Sequence, residues 1–141
     1  MKNTIEILRK HIDEMGSNLP DTEERRSIHN HLYAVSQFCA LIAFKRGESV
    51  ELATMAGLLH DIYTYRFEDS KHHAKKGAVL AGEILQTLQI SDETETEMIV
   101  SAIANHSSKG KRHRPFDEVL IDADVMQHYL YNPTAPIMEH K

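Results

Sequence analysis

Residues 56–61 of this 141-residue chain, AGLLHD, place a histidine and an aspartate directly after small and aliphatic residues. Leucine side chains favour burial, and a carboxylate buried beside them is costly unless a positive charge lies against it. Neutral imidazole and carboxylate are both good ligands for a divalent metal. A metal ion bound by His60 and Asp61 is therefore the simplest interpretation, and a helix end that faces water is the alternative.

Further candidate ligands fall on the apolar sides or at the ends of predicted helices. His31 begins an apolar stripe, His106 ends another, Asp124 lies four residues after a leucine, and His73 stands at a predicted helix start. A single histidine in such a place is more often a hydrogen-bonded structural residue, but several of them can converge when the helices pack. Imidazoles and carboxylates together suit iron, manganese, magnesium, zinc or nickel.

The elements that position these residues are predicted to be helices. No stretch alternates with a period of two, and glycines and prolines fall between periodic stretches, so we predict an all-α, compact, single-domain bundle of about six helices. Asp21 is predicted to cap the second helix, Gly47 to end it, and Pro115 to lie in the first turn of the last helix. Residues 64–71 are predicted to form a polar connection, and residues 132–141 a loosely packed tail.

Composition limits the classes of function. The formal net charge is -5 and no long run has one sign, which argues against a nucleic acid polymer or an anionic membrane as the partner. The amphipathic amino terminus and the lack of a long apolar run predict a cytoplasmic protein. Cys39 is the single cysteine and is predicted to be a buried small hydrophobic residue.

The order of the candidate ligands resembles the signature of the HD-domain superfamily of metal-dependent phosphohydrolases. His31 matches the first histidine, His60-Asp61 matches the central doublet, and Asp124, rather than Asp122, matches the final aspartate. The resemblance covers about residues 28–130 and predicts one such domain over residues 1–141. It implies a helical bundle in which these four residues bind one metal ion.

Two more segments resemble the subgroup that holds a second ion. His73 precedes a Gly-Ala pair by one turn, and His106 ends the following helix. In that subgroup these histidines bind the second metal and the doublet aspartate, here Asp61, bridges the two. This chain departs from many members at Thr64, where they carry a lysine.

The resemblance implies hydrolysis of a phosphate ester or anhydride of a small phosphorylated substrate, with a nucleotide as the preferred candidate. Asp61 is the predicted catalytic residue, because it could orient the attacking water or take its proton. The loop at residues 107–114 is expected to cover the site. The predicted phosphate-binding residues are Arg66, Lys76, Lys109, Arg112 and Arg114.

Three alternatives stay open on the sequence. A dinucleoside polyphosphate hydrolase is favoured by the matches at His73 and His106. A non-catalytic domain that senses a metal or a nucleotide is kept open by Thr64. An oxygenase with a mixed-valence di-iron site would need the same six ligands. The sequence also allows a homodimer.

Overall fold

The computed structural model describes residues 3–134. Within that range the chain forms seven helices: α1 (Thr4–Ser17), α2 (Glu23–Arg46), α3 (Val50–Leu59), α4 (Ile62–Phe67), α5 (His73–Leu88), α6 (Glu93–Asn105) and α7 (Pro115–Tyr131). The prediction of an all-α bundle is confirmed. Most of the predicted tail, residues 135–141, lies outside the described residues. In the described range no helix has both the length and the apolar character that crossing a bilayer requires.

Helix ends follow the capping chemistry of the sequence, with one correction. Thr22, not Asp21, caps α2, because the Thr22 hydroxyl accepts the backbone N–H of Arg25 at 3.0 Å. Asp21 instead pairs with Arg26 at 2.7 Å. Gly47 ends α2 in the left-handed conformation, with φ 74°, which glycine adopts without steric cost.

The additional helix, α4, occupies part of the segment predicted as a polar connection. Ile62 and Tyr65, three residues apart, are 0% and 2% exposed, so burial of one short face holds this turn and a half of helix against the core. Such a short element carries too few apolar positions for a periodic pattern to show. The chain leaves α4 at Glu68, which has φ 49°.

Helix α3 lies at the centre and packs against α1, α2, α6 and α7. Every residue from 52 to 59 is buried. A side chain at Gly57 would place Cβ 2.6 Å from Ser36 Cα on α2, so the two backbones touch there. Cys39 packs beside this contact and is 0% exposed, which confirms its prediction as a buried residue. The close approach brings the end of α3 towards the middle of α2.

Candidate metal centre

Six side chains from five parts of the chain converge inside the bundle. They are His31 of α2, His60 and Asp61 between α3 and α4, His73 at the start of α5, His106 after α6, and Asp124 of α7. The junction of α3 and α4 contributes two of them because the backbone leaves the helical conformation at Asp61, with φ -116° and ψ 27°. All six residues were predicted from the sequence as metal ligands, and the structure brings them together.

One group of ligand atoms forms around His31 and His60. Their Nε2 atoms are 2.9 Å apart, and the His31 Nε2 is 3.1 Å from Asp124 Oδ1 and 3.3 Å from Asp61 Oδ2. The His60 Nε2 is 3.3 Å from the same Asp61 oxygen and 3.5 Å from the same Asp124 oxygen. Neighbouring ligand atoms on one octahedral ion, each about 2.1 Å from it, lie roughly 3 Å apart. These separations are therefore those of atoms that could share an ion.

A second group forms on the other side of Asp61. Its Oδ1 lies 3.3 Å from His106 Nε2 and 3.7 Å from His73 Nε2, whereas its Oδ2 faces His31 and His60. The two oxygens of one carboxylate thus belong to two different ligand groups. Asp61 could therefore supply one ligand oxygen to each group.

All four imidazoles are held with Nε2 directed at the cluster, because each donates its Nδ1–H to an oxygen outside it. The acceptors are the backbone carbonyls of Gly57 for His60 (2.7 Å), Ser70 for His73 (3.1 Å) and Ile103 for His106 (2.6 Å), and the side-chain carbonyl of Gln127 for His31 (2.7 Å). The three backbone acceptors each lie three residues before their histidine, so a local turn of the backbone fixes each ring. This arrangement leaves the Nε2 lone pair for a ligand.

The carboxylates supply the clearest test of whether a cation fits. Asp61 Oδ1 and Asp124 Oδ1 are buried and accept no hydrogen bond within residues 3–134. A buried carboxylate oxygen with no donor is unfavourable unless a cation lies against it. Together with four oriented imidazoles, these two negative charges fit one or two divalent metal ions.

The same charges shift the protonation of the cluster. Burial lowers the pKa of His60, but the charge of Asp61 and the close approach of the Asp124 and Asp61 carboxylates prevail and raise this pKa to about 10. Burial would raise the pKa of Asp61, yet the charge of His60 and the close approach of the His106 and His31 imidazoles hold it well below its usual range. The pKa of Asp124 is likewise held low, against burial, by the close approach of the His31 and His60 imidazoles. Without a metal, the cluster retains protons in the place of cations.

Of the predicted phosphate-binding residues, Lys109 reaches the cluster. Its Nζ lies 3.4 Å from Asp124 Oδ2, and its side chain is 14% exposed. The loop at residues 107–114 therefore approaches the site through this lysine. Arg112 is exposed, and Lys76 lies over the Tyr63 ring at 5.2 Å.

Arg66 and Arg114, also predicted to bind phosphate, make their contacts away from the cluster. Arg66 lines a surface cavity with residues of α1, such as His11 and Glu14, because α4 turns its side chain to that face. Arg114 pairs with Glu97 at 3.2 Å and lies 3.7 Å from Asp117. None of these contacts includes a residue of the cluster.

Two residues beside the cluster, Gln127 and His128, are not among the predicted site residues. Gln127 orients His31, as described above, and is 6% exposed. The ring of His128 stacks on that of His31, with centroids 4.9 Å apart and planes 14° apart. Its Nε2 is 3.7 Å from Asp124 Oδ1. The available signal was spacing, since His128 follows Asp124 by one helical turn.

Comparison with known proteins agrees with this geometry. The HD domain family model matches residues 28–131 of the 141. The chain is similar to Ribonuclease Y of Enterococcus faecalis, with 33% identity over 88 residues, and to Ribonuclease Y of Lawsonia intracellularis, with 36% identity over 92 residues. These matches cover 60% and 64% of this chain but only 15% and 16% of the relatives. No solved structure matches significantly. The order of the six converging residues and the family match lead to one conclusion: the chain belongs to the HD domain family, within the superfamily of metal-dependent phosphohydrolases.

Proposed function

We propose that this chain hydrolyses a phosphate ester or anhydride of a small phosphorylated compound, a nucleotide, with water activated at a divalent metal centre. One observation carries the proposal. The two oxygens of Asp61 face two separate groups of imidazole nitrogens, with Oδ2 towards His31 and His60 and Oδ1 towards His73 and His106.

The donor set assigns the residues to two ion positions. His31, His60 and Asp124 would hold the first ion, His73 and His106 the second, and Asp61 both. When bound, divalent ions lower the pKa of coordinated water and neutralise the charge of a phosphate. Iron and manganese accept this mixture of imidazole and carboxylate well, as do zinc, nickel and magnesium to different extents.

Asp61 and Lys109 have different roles in the proposed reaction. The pKa of Asp61 stays well below its usual range, against the effect of burial, because of the charge of His60 and the nearby imidazole of His106. Asp61 is therefore a carboxylate that can accept a hydrogen bond from the attacking water and orient it. Lys109 Nζ, 3.4 Å from Asp124 Oδ2, is near enough to contact a phosphate oxygen placed at the cluster.

Charge supports a small substrate over a polymer. The net charge is -5, and among the described residues Lys109 is the only lysine or arginine with an ion pair to the cluster carboxylates. A polymer is ordinarily held by many phosphate contacts along a basic surface. The similarity to proteins named Ribonuclease Y favours a phosphorus ester of a nucleoside, so a phosphodiester belongs in the same test.

The proposal is tested by a turnover screen of the purified, metal-loaded protein against mononucleotides, dinucleoside polyphosphates and a generic phosphodiester. Asp61→Asn is expected to lower kcat/KM by about 100- to 10,000-fold, the usual contribution of a positioned base. Asp122→Asn is the matched control, because Asp122 pairs with Arg46 at the surface.

Each result of the screen separates the alternatives. If a dinucleoside polyphosphate is turned over fastest, the substrate is a dinucleoside polyphosphate and not a mononucleotide. Tight nucleotide binding with no turnover of any substrate would favour a sensor. Oxygen consumption by the iron-loaded protein, without phosphate release, would favour an oxygenase and overturn the proposal.

A further inference from the structure

A cavity of about 240 Å³ opens from the metal centre between α2 and α7. We call it the α2–α7 cavity. It reaches His31 and Asp61 of the cluster, and further residues that line it are Ser27, Asn30, His128 and Tyr131. A molecule bound at the cluster could extend directly into this space.

Apart from Asp61 and the aliphatic Ile28, the residues that line the cavity are neutral hydrogen-bonding groups and flat rings. Ser27 and Asn30 are exposed on one turn of α2. On α7, Tyr131 is 71% exposed, and the half-exposed ring of His128 lies parallel to that of His31, with centroids 4.9 Å apart. Stacked aromatic rings with nearby amide and hydroxyl groups suit a planar, hydrogen-bonding ligand.

Charge divides the surroundings of the centre into two sides. No lysine or arginine lines the α2–α7 cavity, and Asp61 contributes a negative charge to it. Lys109 instead contacts Asp124 Oδ2, whereas Asp124 Oδ1 faces His31. The phosphate of a substrate is therefore favoured at the ions and Lys109, and the uncharged part in the cavity.

We propose that the α2–α7 cavity is the subsite for the nucleoside part of a nucleoside monophosphate. The proposal rests on the phosphohydrolase function proposed above. The cavity volume of about 240 Å³ lies just under the range for drug-sized ligands, which begins at roughly 300 Å³. A space of this size favours a single nucleoside over a longer ligand. If a nucleoside triphosphate bound with its terminal phosphate at the ions, its other two phosphates would lie in the cavity beside Asp61. No cationic side chain lines the cavity to neutralise them.

The reaction consumes one water. Its oxygen forms the new bond to phosphorus, the bond from phosphorus to the nucleoside oxygen breaks, and that oxygen takes a proton. The products are a nucleoside, released from the α2–α7 cavity, and inorganic phosphate.

Two pairs of variants test the subsite. Asn30→Ala and Tyr131→Ala change the cavity, whereas Gln37→Ala and Tyr129→Ala change an exposed side-chain amide and an exposed tyrosine on the same two helices. We measure kcat/KM for nucleoside monophosphates and for methyl phosphate, which carries no nucleoside. Each cavity variant is expected to lose about tenfold on the nucleotide, mainly through KM, as for one lost hydrogen bond or stacking contact. Methyl phosphate turnover and both control variants are expected to be unchanged.

Equal losses on the two substrates, or no loss on the nucleotide, would overturn the subsite. So would a loss confined to cleavage of a dinucleotide, since the cavity would then serve a polymer. Calorimetric binding of a nucleoside thiophosphate separates this inference from the proposed function. If no substrate turns over, weaker binding by Asn30→Ala than by Gln37→Ala still supports the subsite, and equal binding overturns it.

Discussion

Gly57→Ala is expected to damage the metal centre from a position that binds no metal. A Cβ at this residue would lie 2.6 Å from Ser36 Cα and 2.9 Å from Ser36 N, both backbone atoms of α2, and 3.1 Å from Cys39 Sγ. Backbone atoms cannot rotate away, so α3 and α2 must separate. His60 follows α3 and His31 lies on α2, and their Nε2 atoms are 2.9 Å apart. Separation of the helices would therefore move His31 away from His60 and disrupt the group of ligand atoms around them.

Gly77→Ala is the matched control. The difference in the free energy of unfolding between the two variants measures the cost of the helix contact. The nearest atom to a Cβ at Gly77 is the His60 carbonyl oxygen at 3.6 Å, an ordinary contact. An alanine in a helix gains about 1 kcal/mol over glycine, so Gly77→Ala should be neutral or slightly stabilised. At Gly57 the same gain is outweighed by overpacking, which costs about 1–3 kcal/mol and more where backbone atoms meet. We expect Gly57→Ala to be less stable than Gly77→Ala by roughly 2 kcal/mol or more.

Urea denaturation with a chelator present measures this difference in stability without the metal. Calorimetric titration of each variant with Mn²⁺ measures the affinity of the centre for the ion. Gly57→Ala is expected to unfold at lower urea and to bind the ion more weakly, while Gly77→Ala behaves as the natural protein does. Equal stability and equal affinity of the two variants would refute the link between this helix contact and the ligand geometry.

Three further predictions follow from the surroundings of the cluster. Gln127→Leu removes the acceptor for His31 Nδ1–H and should weaken metal affinity by about 10- to 100-fold in a calorimetric titration; unchanged affinity would deny Gln127 an orienting role. Burial lowers the pKa of His60, but Asp61 and Asp124 raise it to about 10, so an ion must displace a proton at neutral pH. Metal affinity should therefore rise by about tenfold per pH unit for each proton released, and titrations that give the same affinity across the neutral range would contradict this. Burial raises the pKa of the Cys39 thiol, so a thiol reagent should modify it only as the protein unfolds in urea, and rapid modification of the folded protein would disagree.

The sequence predicts those parts of the site whose positions depend on the spacing of nearby residues. Each cluster residue lies on an apolar stripe or at a helix end, so its position follows from residues within a few turns. The same holds for the end of α2 at Gly47. Helix α4 is different because only Ile62 and Tyr65 anchor it in the core, and two positions do not define a period. Thr22 and Asp21 are both good capping residues, and one residue of register separates them.

Contacts that depend on how distant helices dock could not be found from spacing. Gln127 bonds to His31 across 96 residues of sequence, and Asn30 meets Tyr131 in one cavity because α2 and α7 pack together. A polar residue on an exposed turn has the same local pattern whether it faces solvent or a ligand. The α2–α7 cavity therefore became visible only in the structure.

The metal content of the purified protein tests the central claim most directly. Elemental analysis after loading with one divalent metal and removal of excess is expected to give close to two ions per chain, held by the two ligand groups that share Asp61. A ratio near one would contradict the bridging role of that carboxylate. No retained ion with any of the five candidate metals would contradict the account as a whole.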